Sequence, residues 1–199
     1  MTALLVRHGR TDAPEQQLPG PPPGPPLSPL GVQQARRLAT RLRHVALIYA
    51  SPYRRTSQTA AAIAESTAAP LEIVDALSEV PYDAWAGREI ATLADEPSWI
   101  DFNVLRTVTP MASGGLMIDV QARALGWLAR VAAAHPDSTI AAVSHADVIR
   151  AIVAGCAGVS LDLSLRLAVD VASISEIHIA PGLLRVERLN DTAHLEDLS

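Results

Sequence analysis

Short apolar runs alternate with longer segments of helical periodicity along this chain. The apolar runs end in polar residues, as buried parallel strands do, and lie at residues 3–6, 46–50 and 139–143. The segments with apolar positions at helical spacing lie at residues 31–45, 54–66, 117–135 and 146–158. This alternation predicts an α/β fold in layers with a mainly parallel central sheet.

Further elements complete the prediction. Residues 71–79 are expected to form a third strand and the turn after it. Residues 172–180 and 183–189 flank Pro181-Gly182 and predict an antiparallel hairpin. Residues 80–116 show only short helical pieces and are expected to be an excursion from the main fold.

A proline-rich stretch, residues 14–31, interrupts the pattern after the first strand. Proline fixes φ and lacks a backbone donor, so this stretch is expected to be an extended surface loop. A loop of this length in a compact domain is usually either disordered or functional. The loop is therefore either a wall of a site or a plain connector.

Three predicted strands end in side chains that can carry chemistry. Arg7 and His8 follow the first strand, Arg55 lies shortly after the second, and His145 follows the strand at 139–143. If these strands are neighbours, their ends bring two histidines and two arginines to one sheet edge, where open α/β sheets place ligands. Clustered cations in an apolar setting require an anion, and the planar guanidinium matches phosphate oxygens.

This cluster predicts phosphoryl transfer. A neutral imidazole can attack phosphorus, and Glu79, just after the third strand, could donate the proton. The arginines would supply positive charge around the transferring oxygens and disfavour a protonated nucleophile. Gly9 would let the backbone approach the phosphate.

Six segments, in order along the chain, bring one family to mind. They are LLVRHGRT, LSPLGVQQARRLA, ASPYRRTSQTA, LSEVPYDAWAGR, VSHADVIRAIVAG and LNDTAHL. Through them the chain resembles the histidine phosphatase superfamily, the phosphoglycerate mutase-like proteins. The resemblance implies a three-layer α/β/α sandwich, one domain over residues 1–199 with a small cap-like excursion at about 80–116, and metal-independent transfer through a phosphohistidine.

The resemblance also implies roles for individual residues. His8 resembles the nucleophile, and Arg7 and Arg55 resemble the phosphate-binding arginines. His145 resembles the second pocket histidine, expected to be protonated, and Glu79 the general acid. One further position, Thr11, often carries a phosphate-contacting hydroxyl in the family, whereas Arg54 occupies a variable position and is assigned to the surface.

Two positions depart from the family pattern. Many relatives carry asparagine where this chain has Pro14, and a Gly-Glu-Ser segment whose last two positions are Gly115 and Leu116 here. All of the residues expected in the phosphate pocket are present, whereas these two positions at its rim differ from the family pattern. The departures put the substrate range in question rather than the chemistry.

Composition limits partners and location. The net charge of −5 argues against a broad nucleic-acid surface, and no apolar stretch approaches the roughly 18 residues that span a bilayer. The single cysteine excludes an internal disulfide and, with no leader-like segment after Met1, favours the cytoplasm. No cofactor is expected, and a homodimer is the expected assembly if copies associate.

Several residues have plainer explanations. Cys156 is expected in the core, Trp85 beneath the site, and Asp83 and Asp147 at the surface or at helix caps. Ser51 and Ser144 lack the elbow motif of serine hydrolases. The remaining histidines show no metal-ligand spacing, so no metal site is expected: His44, His135, His178 and His194.

Three functions remain open at this point. The favoured one is a phosphomonoesterase acting through His8. The alternatives are a phosphoglycerate-type mutase, which tends to be longer, and a non-catalytic phosphate-binding module, which would have no need of Glu79.

Overall fold

The computed structural model describes residues 1–14, 16–112 and 114–198. Its centre is a six-stranded sheet in the order β3-β2-β4-β1-β5-β6. The strands are β1 (Thr2–Arg7), β2 (Leu47–Ala50), β3 (Leu71–Ile73), β4 (Thr139–Ser144), β5 (Ile174–Ala180) and β6 (Leu183–Asp191). Strands β1 to β4 are parallel, whereas β5 is antiparallel to both of its neighbours. The expected mainly parallel α/β sheet and terminal hairpin are confirmed.

The described residues form six α-helices, of which α3 and α4 belong to the excursion and the other four lie beside the sheet. They are α1 (Pro29–Arg41), α2 (Arg54–Thr67), α3 (Ile90–Leu93), α4 (Pro97–Val104), α5 (Met117–Ala134) and α6 (Ala146–Ala157). Short 3-10 helices lie at Asp75–Leu77, Asp83–Trp85, Leu161–Arg166 and Ala193–Leu198.

The alternation of strand residues builds the three layers. Successive strand side chains point to opposite faces, so Leu5 packs in the core of α5 and α6, whereas Val6 packs in the core of α1 and α2. The three-layer α/β/α arrangement follows. Residues 71–79 form the expected strand and turn: β3 is three residues long, and the chain then turns at Val74 into the 3-10 helix that leads to Glu79.

Residues 80–112 and 114–116 contain the short helices α3 and α4, and their buried apolar side chains join the core that contains Leu5. Trp85, Trp99 and Phe102 make an aromatic cluster, with the Trp85 ring centroid 5.2 Å from that of Trp99 and 5.3 Å from that of Phe102. Trp85 is buried in the same core as Leu5, as expected. The excursion thus has its own apolar anchor beside the carboxyl ends of the strands.

Two glycines let the chain cross itself next to β1. A Cβ on Gly31 would lie 1.9 Å from the Arg10 carbonyl oxygen, and a Cβ on Gly9 would lie 2.7 Å from the Gly31 carbonyl oxygen. The space beside Gly9 is therefore filled by the start of α1, not kept open for phosphate as the sequence suggested. This close contact between the two backbones fixes the path of the chain directly after β1.

In the described part of the chain, no helix combines the length and apolar character that crossing a membrane requires.

Candidate active site

The sheet brings the predicted polar strand ends to one edge. Strand β1 lies beside β4, and Arg7 pairs in register with Ser144, so His8 and His145 follow neighbouring strands. Strand β2 lies on the other side of β4 and leads to Arg55 in the first turn of α2. The His8 and His145 ring centroids are 5.4 Å apart. The strand ends thus meet as the sequence predicted.

The hydrogen bonds of His8 fix its tautomer. Arg55 donates from Nε to His8 Nε2 over 3.0 Å, so that ring nitrogen carries a lone pair. His8 Nδ1 lies 2.8 Å from the Gly9 carbonyl oxygen, which can only accept, so Nδ1 carries the proton. Burial, and next the charge of Arg55, lower the pKa of His8 well below its ordinary value. His8 is therefore neutral, with Nε2 available as a nucleophile.

His145 is also neutral in this pocket. Arg55 donates from Nη2 to His145 Nδ1 over 2.9 Å, so the proton sits on Nε2, which donates to Ser51 Oγ over 2.7 Å. Burial, followed by the charge of Arg55, lowers the pKa of His145 well below its ordinary value. The expected protonated His145 is therefore wrong in this structure, because Nδ1, which would carry the second proton, accepts a hydrogen bond from Arg55.

Two arginines carry the positive charge of the pocket. Arg7 donates from Nη1 to the Val169 carbonyl oxygen over 2.7 Å, and the Arg55 guanidinium lies over the Tyr53 ring, 4.6 Å from its centroid. Among the described residues, Arg7 Nε and Arg55 Nη1 are buried donors that have no hydrogen-bond partner. Buried donors without partners are costly, and a phosphate oxygen would satisfy them.

Glu79 lies against both Arg55 and His145. Its Oε2 is 3.6 Å from Arg55 Nη2 and 3.4 Å from His145 Nδ1. Its turn is held in place because Ser144 Oγ donates to the Leu77 carbonyl over 2.7 Å and Arg123 donates to the Ser78 carbonyl. Burial raises the pKa of Glu79 to about 7 against the opposing charge of Arg55. This carboxyl can therefore hold or release a proton near neutral pH.

Thr11 and the proline-rich stretch lie on the wall of the cleft that opens from His8. Pro14, Leu18 and Pro25 line this cleft together with Thr11, which confirms the loop as a wall rather than a plain connector. A Cβ on Gly24 would come within 2.9 Å of Arg55 Nη1, so the stretch reaches the phosphate pocket itself. Thr11 therefore lies beside the site rather than inside the buried cluster.

Sequence reasoning missed a buried ion pair beside the pocket. Asp147 is 7% exposed, not at the surface as expected, and it receives a hydrogen bond from Arg106 Nη2 over 2.6 Å. The Tyr82 hydroxyl donates to the same carboxylate over 2.8 Å, and Arg150 donates to its other oxygen over 3.0 Å. No local spacing marks this pair, because Arg106 lies in an irregular segment 41 residues before Asp147.

Other assignments are simpler. Arg54 is exposed and Cys156 packs at the edge of the main core, both as expected. Ser51, which lacks the elbow motif of a serine nucleophile, accepts a hydrogen bond from His145 Nε2 over 2.7 Å. Across residues 1–14, 16–112 and 114–198, no group of three or more histidine, cysteine, aspartate or glutamate side chains could hold a metal ion.

Comparison with known proteins identifies the family. The family model of the histidine phosphatase superfamily (branch 1) matches residues 3–192. Phosphoserine phosphatase 1 of Hydrogenobacter thermophilus is 31% identical over 186 residues, which cover 86% of this chain and 83% of that protein.

Solved structures show the same fold. A phosphoserine phosphatase mutant from Entamoeba histolytica in complex with phosphoserine superposes with a TM-score of 0.90 at 22% identity, covering 98% of each chain. A mycobacterial glucosyl-3-phosphoglycerate phosphatase complexed with VO3 superposes with a TM-score of 0.85 at 26% identity, covering 96% of this chain and 99% of that one. With a family model matched over almost its whole length, the chain belongs to branch 1 of the histidine phosphatase superfamily.

Proposed function

We propose that the protein is a metal-independent phosphomonoesterase in which His8 carries the phosphoryl group between a small phosphate ester and water. The observation that carries this proposal is the neutral, buried His8, whose Nε2 lone pair accepts a hydrogen bond from the Arg55 guanidinium. The phosphatase relatives support the reaction class. The single domain, the homodimer and the cytoplasmic location expected from the sequence stay predictions.

In the first step, the phosphate of the ester replaces His8 as the hydrogen-bond acceptor of Arg55. Arg7 Nε and Arg55 Nη1 are positioned to donate to its oxygens. His8 Nε2 then attacks phosphorus while the bond from phosphorus to the ester oxygen breaks. Charge on the equatorial oxygens is stabilised by the arginines, which is the main requirement of phosphoryl transfer.

Glu79 donates a proton in the first step and accepts one in the second. In its protonated form it donates to the departing ester oxygen, so the alcohol leaves neutral. The resulting carboxylate then accepts a proton from the water that attacks the phosphohistidine, releasing inorganic phosphate and restoring His8. A pKa near 7 suits both steps, since the two forms of Glu79 have similar free energies at neutral pH.

His145 orients Arg55. Its Nδ1 accepts from Arg55 Nη2, which turns the guanidinium toward His8. A bound phosphate dianion would raise the pKa of His145, because an opposite charge favours the imidazolium.

Hydrolysis of p-nitrophenyl phosphate in the presence of EDTA tests the proposal. We expect turnover by the wild type, none by His8→Ala, and unchanged turnover by His44→Ala, which alters an exposed histidine. Loss of wild-type activity in EDTA, or activity in His8→Ala, would contradict the proposal. Phosphoglycerate isomerisation faster than phosphate release would indicate a mutase, and phosphate binding without turnover would indicate a binding module.

A further inference from the structure

The cleft that opens from His8 is much larger than a phosphate group. It has a volume of about 790 Å³, which falls in the range of pockets that enclose a whole small molecule. The phosphate fills only the inner end, at Arg7, His8 and Arg55. The remaining space must hold the alcohol portion of the substrate, so the chemistry of its walls selects the substrate.

Apolar side chains supply most of these outer walls. Ile90 and Trp99 come from the excursion, Leu165 comes from the 3-10 helix after α6, and Leu18 comes from the proline-rich stretch. Ile90 is 40% exposed and Leu165 is 42% exposed, so apolar surface is left open to solvent at the cleft. Covering such surface with an apolar ligand is favourable, roughly in proportion to the area removed from water.

The charged side chains of the outer walls are balanced. Two are cationic, Arg10 and Arg150, and two are anionic, Asp147 and Asp170. Arg150 already donates to Asp147 and to the Leu167 carbonyl, and Asp170 accepts from Asn190 Nδ2 over 2.8 Å. A carboxylate or ammonium group on the alcohol would therefore meet as much like charge as opposite charge.

Pro14 adds to the apolar character of these walls. It lines the cleft together with Thr11. A proline offers neither a side-chain donor nor a backbone N–H to a polar substrate. At this position the wall therefore has no polar group that would donate to the alcohol.

We propose that the natural substrates are phosphate monoesters of apolar alcohols, whose hydrocarbon portion packs against Ile90, Trp99 and Leu165. This inference rests on the proposed function, since it concerns the alcohol released at the same site. It distinguishes this chain from an enzyme built for phosphoserine or a phosphoglycerate, whose alcohols carry charges that these walls do not select.

A series of n-alkyl phosphates from propyl to octyl tests the inference. These esters have nearly the same leaving group, so differences in kcat/KM report contacts of the alkyl chain rather than intrinsic reactivity. We expect kcat/KM to rise by roughly threefold for each methylene that becomes buried. We also expect hexyl phosphate to exceed O-phosphoserine and 3-phosphoglycerate by about tenfold or more.

Two variants on one 3-10 helix provide a matched comparison. Leu165→Ser removes an apolar wall residue, whereas Leu163→Ser changes a residue that is 39% exposed and lies outside the cleft lining. We expect Leu165→Ser to lower kcat/KM for hexyl phosphate about fivefold while leaving propyl phosphate within about twofold. Leu163→Ser should change neither.

Two results would overturn the inference while leaving the proposed function intact. They are a flat alkyl series and a preference for phosphoserine or 3-phosphoglycerate, each with His8-dependent hydrolysis of p-nitrophenyl phosphate. Failure to hydrolyse any ester, including p-nitrophenyl phosphate, would contradict the proposed function and this inference with it.

Discussion

Arg55 contacts both histidines of the pocket through different atoms of one guanidinium. Its Nε donates to His8 and its Nη2 donates to His145, and both contacts favour the neutral form of the ring. A single side chain thus sets the tautomers of the proposed nucleophile and of its neighbour. Such a role requires the rigid fork of arginine, since the ammonium of lysine is a compact point charge.

The first prediction concerns this fork. Arg55→Lys keeps the charge but loses the second donor direction, so we expect the dissociation constant of inorganic phosphate to rise at least about tenfold. Isothermal titration calorimetry measures it directly. Arg54→Lys, a change at the exposed neighbour, is the control and should bind phosphate as the wild type does. Equal affinities in all three proteins would contradict the assigned role of Arg55.

A second prediction concerns the proton on Glu79. Because its pKa is raised to about 7, the protonated acid needed for leaving-group departure is lost as the pH rises through that value. We expect the wild-type kcat/KM for an alkyl phosphate to fall above about pH 7. The kcat/KM of Glu79→Gln should be lower than that of the wild type and should not show this fall. The ester's own ionisation is common to both proteins and cancels in their ratio. If the ratio of the wild-type kcat/KM to that of Glu79→Gln does not change with pH, Glu79 is not the general acid.

At the scale of elements, the crossing of β1 and α1 positions the catalytic strand end. Ser28 caps α1 by accepting from the Gly31 amide over 3.0 Å, and the Gly9 amide donates to Thr59 of α2 over 3.1 Å. Gly31 lies against the Arg10 backbone, so two backbones meet without an intervening side chain. The loop after His8 is therefore tied to both helices on that face.

The third prediction tests this crossing. Gly31→Ala forces a Cβ to within 1.9 Å of a carbonyl oxygen, so the backbone must shift, and we expect a loss of about 1–3 kcal/mol in the free energy of unfolding. Urea denaturation measures the loss. Gly126→Ala, inside α5 with its nearest Cβ neighbour at 3.7 Å, should instead be neutral or stabilising by up to about 1 kcal/mol. Similar stabilities for the two variants would disprove the crossing.

At the scale of the whole molecule, Asp147 joins the excursion to the catalytic sheet edge. Arg106 is 1% exposed and comes from the excursion, whereas Asp147 lies in the first turn of α6, two residues after His145. Tyr82, three residues after Glu79, donates to the same carboxylate. The wall of the cleft is thus fastened to the segment that carries the second histidine.

The fourth prediction concerns this buried pair. Asp147→Asn leaves a buried guanidinium without its counter-charge, and we expect a loss of about 3–5 kcal/mol in the free energy of unfolding. Replacing both partners, as in Asp147→Asn with Arg106→Met, should recover much of that loss. Urea denaturation of the single and double variants measures both effects. If the double variant is no more stable than Asp147→Asn, the loss of stability does not come from an unpaired buried charge.

The ionisation of Asp147 also makes the free energy of unfolding depend on pH. Burial opposes its ionisation, but Arg106, Arg150 and Tyr82 outweigh burial and lower the pKa of Asp147 to about 2. A carboxyl whose folded pKa is depressed stabilises the fold above its unfolded pKa and loses this effect as the pH falls through the folded one. We expect the wild type, but not the double variant, to lose this contribution between about pH 4 and pH 2.

Local patterns predicted the sheet and the pocket, whereas distant pairings were out of reach. Arg7, His8 and His145 follow apolar strands directly, so their meeting at one edge follows from parallel pairing. Arg106 and Asp147 are separated along the chain by helix α5 and strand β4, and no local pattern shows that an arginine in an irregular segment will be buried. The tautomer of His145 likewise depends on which atom of Arg55 reaches it.

The most direct test of the central claim is to locate the phosphoryl group during turnover. The wild type would be mixed with a phosphate ester, quenched at high pH within milliseconds, and mapped by peptide mass spectrometry. The account predicts one added phosphoryl group on the peptide that contains His8, and none in His8→Ala. Turnover with no phosphorylated peptide, or with the group on a residue other than His8, would contradict it.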